Sequence, residues 1–135
     1  PNVLCLTEHH MDQQELLYFS LENYKLGASF CRWNFQKGSV SIYIRDHHRY
    51  ININLTEFCS EQDLEICTVE LKTEFRNFII TCVYRSPSGN FDNFLIYWTM
   101  PWTTYIHVIQ MLLYVGISVL TMSQIIIENS CWGHY

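Results

Sequence analysis

A chain of 135 residues that is 49% hydrophobic and 16% aromatic is long enough to bury one core and short for two, so a single domain is expected. Its formal net charge of -5, with only 8 Lys and Arg, argues against strong nucleic-acid binding by bulk charge and gives no support to membrane-surface attraction. The six cysteines form no C-x-x-C pair of the zinc or redox kind. Because Cys5, Cys67 and Cys82 sit inside apolar runs, buried free thiols in a reducing compartment are expected, and with them an intracellular location, nuclear or cytoplasmic.

Taken in chain order, NVLCLTE is a continuous apolar run ending in a carboxylate, which predicts a strand buried on both faces, near the centre of the fold, with Glu8 at its end. Its start at Pro1, directly ahead of that run, is what a fragment lacking its upstream part is expected to show. MDQQELLYFSL reads as a short helix, and YKLGASFCRW as a strand in which Gly27 marks a bulge or turn. GSVSIYIRD alternates Val40, Ile42 and Ile44 with Ser41, Tyr43 and Arg45, and YININL repeats the pattern with Ile51, Ile53 and Leu55; both read as half-buried, antiparallel strands. LEICTVEL and NFIITCVY give two more, the second apolar on both faces, and FDNFL opens a helix. Five or six strands broken by one short helix predict an α+β fold with a mixed sheet.

Asn54-Leu55-Thr56 matches the N-glycosylation pattern, but inside an alternating strand it reads as a chance match. His9 and His10, like His47 and His48, are adjacent residues, and in a strand such neighbours point to opposite faces and cannot chelate one ion. Tyr84 and Arg85 leave an apolar strand where a cleft would lie, and a phenol beside a guanidinium suits a phosphate.

PNVLCLTEHH, GSVSIYIRD, FCSEQDLEICTVEL and FIITCVYRSPSGNFDNFL, in this order and spacing, resemble the endonuclease domain of LINE-type non-LTR retrotransposons, in the endonuclease/exonuclease/phosphatase family with the DNase I-like fold. The likeness covers residues 1 to 95, and its most specific part is the pairing of Thr-Glu-His with Tyr-Arg-Ser-Pro. The resemblance implies a partial, incomplete two-sheet sandwich, with DNA as the family's substrate, Glu8 as a ligand of catalytic magnesium and Tyr84 near the scissile phosphate. Magnesium suits such a site because it takes one or two carboxylates with waters and phosphate oxygens. The family's Asn on an earlier strand, its Gly-Asp-x-Asn motif and its Ser-Asp-His motif have no counterparts here. With no base and no orienting groups, the chain is expected not to cut DNA, and strands missing their second sheet are expected to expose apolar surface.

From Phe94 to Ile127 the chain carries no Asp, Glu, Lys or Arg, which sets residues 96–135 apart as an apolar tail unrelated to that domain. Trp and Met have single codons, so in the frame made from the last base of one codon and the first two of the next, Trp98-Thr99 forces Asp, Met100-Pro101 forces Ala and Trp102-Thr103 forces Asp. The shifted frame can read Leu-Leu-Asp-x-Ala-Leu-Asp, an amphipathic continuation of Phe91, Phe94 and Leu95. A frameshift between Phe94 and Ile96 in a decayed retroelement copy is therefore expected. Further on, Met111 to Ile117 permits Val-Ile-Ile-Cys-Gly-Asp, although Ser118-Val119 cannot encode the Asn that should follow. The rival reading takes residues 108–127 as a membrane span with Trp98, Trp102 and Tyr105 as an interfacial belt, which would make the chain a membrane-anchored, non-enzymatic binding protein.

Overall fold

The computed structural model describes residues 1–35, 37–105 and 124–128. Among the described residues, seven strands and two helices follow one another as β1 (Val3–Thr7), α1 (Gln13–Tyr18), β2 (Tyr24–Phe30), β3 (Val40–Arg45), β4 (Arg49–Ile53), a 3-10 turn (Thr56–Phe58), β5 (Glu65–Lys72), β6 (Asn77–Tyr84), α2 (Phe91–Tyr105) and β7 (Gln124–Glu128). They make two sheets, one in the order β1-β3-β2 and the other in the order β4-β5-β6-β7. Every pairing between these strands is antiparallel, which corrects the expected mixed sheet while keeping the α+β class.

Side-chain parity explains the layering. Val3 and Cys5 of β1, with Val40, Ile42 and Ile44 of β3, turn to one core shared with Cys67, Val69, Leu71, Ile80 and Cys82 of the other sheet. The intervening residues Leu4, Leu6 and Tyr43 face the other way and pack with Leu16 of α1. On the far side, Phe94, Tyr97 and Trp98 of α2 cover Leu55, Leu64, Ile66 and Val83. The order of layers is helix, sheet, sheet, helix. The two sheets thus cover each other, which corrects the expectation of strands left bare; the large apolar side chains that remain exposed include Leu17, Tyr18 and Phe75, outside the strands.

β1 is a three-stranded sheet's edge, not its centre, and is half-buried. β3 is the central strand and is buried on both faces rather than half-buried, Ser41 and Tyr43 included. β6 covers the same residues as its sequence reading and lies between β5 and β7.

Gly27 sits at a bulge, where Leu26 pairs with Tyr43 and Ala28 with the adjacent Ile42. The extra residue switches parity, so Leu26 packs with α1's cluster and Ala28 with the core between the sheets. A Cβ at Gly27 would lie 2.8 Å from Ile44 Cδ1 and 3.2 Å from Val69 Cγ1. Carbonyls at the bulge are satisfied from β4, by Tyr50 Oη donating to Leu26 O at 2.9 Å and Asn52 Nδ2 donating to Gly27 O at 2.9 Å. That corrects the reading of β4 in part: Tyr50 and Asn52 reach the opposite sheet and Ile51 is exposed, whereas Leu55 is buried as expected and Ile53 packs against it. Asn54 lies just beyond β4 in a turn where its Oδ1 accepts from Thr56 N at 3.0 Å, not inside a strand.

α2 runs continuously across position 95 and carries Pro101 within it. Most of the rival membrane span lies outside the described residues, and its last residues, from Gln124, belong to β7, paired with β6. Among the described residues no helix is long and apolar enough to cross a membrane.

Candidate functional site

One end of the sandwich gathers the residues of interest. Glu65 and Tyr84 are direct partners at the end of the β5–β6 ladder, on the same face as the inner-core pair Cys67 and Cys82. Glu8 follows β1 by one residue, and Arg32 and Ser39 lie in the connection between β2 and β3. Tyr84 Oη donates a hydrogen bond to Glu8 Oε1, joining residues from the two sheets. Burial raises the Tyr84 phenol to about 12; the hydrogen bond to Glu8 and the Glu8 charge add to the rise, and Arg32 opposes it. Tyr84 is accordingly a neutral donor at pH 7.

Beneath that pair, Glu65 is wholly buried and ion-paired with Arg32, whose side chain is 5% exposed. Arg32 Nε donates to Glu65 Oε1 at 2.6 Å, Ser39 N donates to Oε2 at 2.6 Å and Gln62 N to Oε1 at 3.2 Å. The Arg32 guanidinium lies 5.9 Å from the centre of the Tyr84 ring. This network ties the β2–β3 connection and the segment before β5 to the start of β5 under the phenol, and a buried charge is tolerable only with such partners. Around it, Glu8, His10, Lys37, Ser39 and Gln62 all hold positive φ, between 54° and 75°, a backbone region that costs a side-chain-bearing residue energy. Glu8 N donates to Ser39 O at 2.9 Å and His10 N to Gly38 O at 3.1 Å, so the strained residues brace one another.

Of the residues singled out from sequence, Glu8 and Tyr84 are brought together and Arg85 is not brought to them. Arg85 Nη1 donates to Ser86 O at 3.3 Å and Gly89 O at 3.1 Å, and its guanidinium lies 5.6 Å from the Phe91 ring, so it is engaged in the turn after β6. His9 Nδ1 accepts from Met11 N at 3.2 Å, and burial lowers its pKa, which keeps it neutral at pH 7. Arg32 and Glu65 went unnoticed in the sequence. The signal for Glu65 was available, because it shares parity with Cys67, Val69 and Leu71 and therefore lies on a core face, where a carboxylate needs a cation.

Among the described residues, no group of three or more His, Cys, Asp and Glu converges as a metal site. What these residues offer magnesium is a single exposed carboxylate, Glu8, with Tyr84 on one oxygen. That donor set fits a loosely held hard cation that keeps most of its waters. No protein-family model matches the chain, and neither a curated protein nor a solved structure matches it.

Proposed function

We propose that the chain is part of a magnesium-dependent phosphodiesterase domain of the kind found in LINE-type non-LTR retrotransposons, carries the carboxylate and phenol of its site, and does not cleave DNA by itself. The observation that carries this reading is the hydrogen bond from Tyr84 to Glu8, which unites at one sandwich end the two residues that the resemblance assigns to metal and phosphate. In this reading Glu8 would hold magnesium, which when bound would offset charge developing on a phosphodiester. Tyr84, neutral at pH 7, would turn its one O–H from Glu8 to a phosphate oxygen, with the Arg32 guanidinium beneath its ring. Hydrolysis also needs a base and an oriented nucleophile. His9 accepts from the Met11 amide and cannot serve as that base while so engaged.

The test is nicking of supercoiled plasmid at millimolar magnesium by this chain beside Glu8→Ala. No nicking by either is expected, with weak magnesium binding to the wild type that Glu8→Ala abolishes. Magnesium-dependent nicking lost in Glu8→Ala would overturn the proposed inactivity, and magnesium binding unchanged in Glu8→Ala would overturn the role of Glu8. The proposed frameshift is tested separately by sequencing the locus: stop codons in the shifted frame before the Gly-Asp position would refute it.

A further inference from the structure

Beside the Glu8–Tyr84 pair, the segment between β1 and α1, the first turn of α1 and the β2–β3 connection line a half-open pocket of about 580 Å³, a volume in the range of small-ligand sites. Arg32, Trp33, Phe35 and Lys37 all line it, so two aromatic rings stand between two cations along a single loop. Trp33 is 83% exposed and Phe35 47% exposed, although both would gain from burial. Their backbone is held firmly: Trp33 N donates to Glu61 Oε1 at 2.6 Å, Asn34 N to Glu61 Oε2 at 3.1 Å and Phe35 N to the same oxygen at 3.1 Å. A loop fixed at its backbone and bare at its rings is prepared for a ligand that brings its own flat face, since less ordering remains to be done on binding.

The two carboxylates on the wall do not repel an anion as strongly as their number suggests. Asp12 Oδ1 accepts from Gln14 N at 2.7 Å and Glu15 N at 2.8 Å, while Glu15 Oε2 accepts from Asp12 N at 2.9 Å, so both are turned to the cap of α1. The Arg32 charge is matched by Glu65, which leaves the Lys37 ammonium for a phosphate.

We infer that this cavity is a seat for one unstacked nucleotide of a single-stranded DNA segment, the base lying on Trp33 and a neighbouring phosphate on Lys37. The inference deepens the phosphodiesterase reading by naming the strand state that the site accepts. Base stacking on an aromatic ring tolerates any sequence and is unavailable to a base inside a duplex.

The test measures fluorescence anisotropy of a labelled short single-stranded oligodeoxynucleotide, and of its duplex, at low salt in EDTA. Working without magnesium separates this seat from Glu8: failure of the metal experiment leaves these results standing, and the reverse also holds. The single strand is expected to bind more tightly than the duplex. Trp33→Ala and Trp33→Leu are expected to weaken it roughly five- to hundredfold, and Lys37→Ala to lower the dependence of log affinity on log salt by about 0.7. Trp33→Leu keeps an apolar side chain without a π-face, so a loss in both Trp33 variants with circular dichroism unchanged separates stacking from loop collapse. Equal binding of single strand and duplex, no binding at all, or wild-type affinity in Trp33→Leu would overturn the inference.

Discussion

A carboxylate without solvent contact must have its charge matched inside the protein, and Glu65 has that match in Arg32, Ser39 N and Gln62 N. Removing it leaves a guanidinium buried without a counterion and two amides without acceptors. Glu65→Ala should therefore cost about 3–5 kcal/mol, measured by denaturant titration. Tyr84 offers a subtler test of the same site. Its phenol ordinarily titrates near 10 and is raised to about 12 here, so the folded protein holds the phenolic proton more tightly than the unfolded chain. The stabilisation it contributes is complete below pH 10 and is lost as pH rises toward 12. Glu8→Gln removes the neighbouring charge and should lower this titration toward 10, read as the phenolate absorbance missing from a matched Tyr84→Phe variant. An unchanged titration would mean that burial alone sets the value.

At the scale of elements, the two features that punctuate the first sheet can be broken separately. Asp12 caps a six-residue helix too short to persist without tertiary support, and Asp12→Ala should cost about 1 kcal/mol with faster amide exchange at Gln14 and Glu15. Gly27→Ala presses a methyl group against Ile44 and Val69 at the bulge and should cost about 1–3 kcal/mol, read as a lowered denaturation midpoint. Much of this level was legible beforehand. Alternating or apolar runs located six strands, and Gly27 announced its bulge. What alternation does not encode is which hydrogen-bonding edge a strand presents. β1 is apolar on both faces because the opposite sheet covers Cys5 and α1 with its neighbours covers Leu4, yet its edge is open. Face burial and edge pairing are independent, so a run that looked central proved peripheral. For β4 the misreading had a chemical cause: Tyr50 and Asn52 were assigned to solvent as polar residues, but the bulge presents carbonyls that need donors. Glu8 and Tyr84 were legible singly as strand-end groups but as a pair only through the resemblance, and Arg32 with Glu65 through neither route, because their pairing joins positions 33 residues apart.

Across the whole molecule, the sandwich closes on sulfur. Cys67 and Cys82 are register partners on the inner face of one sheet, and Cys5 packs there from the other. The described cysteines are free thiols. Burial pushes the Cys67 thiol up, and Cys82 is likewise held above its ordinary range, a hydrogen bond with Cys5 pulling it down but hydrogen bonding to Cys67 and burial together outweighing that. Only a thiolate attacks an alkylating agent, and these two thiols lack both the charge and the access to react while the sheets are together. Their modification should therefore report separation of the layers. In native buffer near pH 8, peptide mapping after iodoacetamide treatment should find Cys67 and Cys82 unmodified long after an unfolded control has reacted completely. With added denaturant, the two should become reactive together, following the loss of circular dichroism, because a single shared core gives neither sheet an inner face of its own. Glu65→Ala, which loosens the end of the same ladder, should move both labelling curves to lower denaturant by the same amount as its stability curve. Rapid native labelling of Cys67 or Cys82 would show that the sheets part locally. In that case the Glu8–Tyr84 bond, which spans them, could not remain formed in the open state.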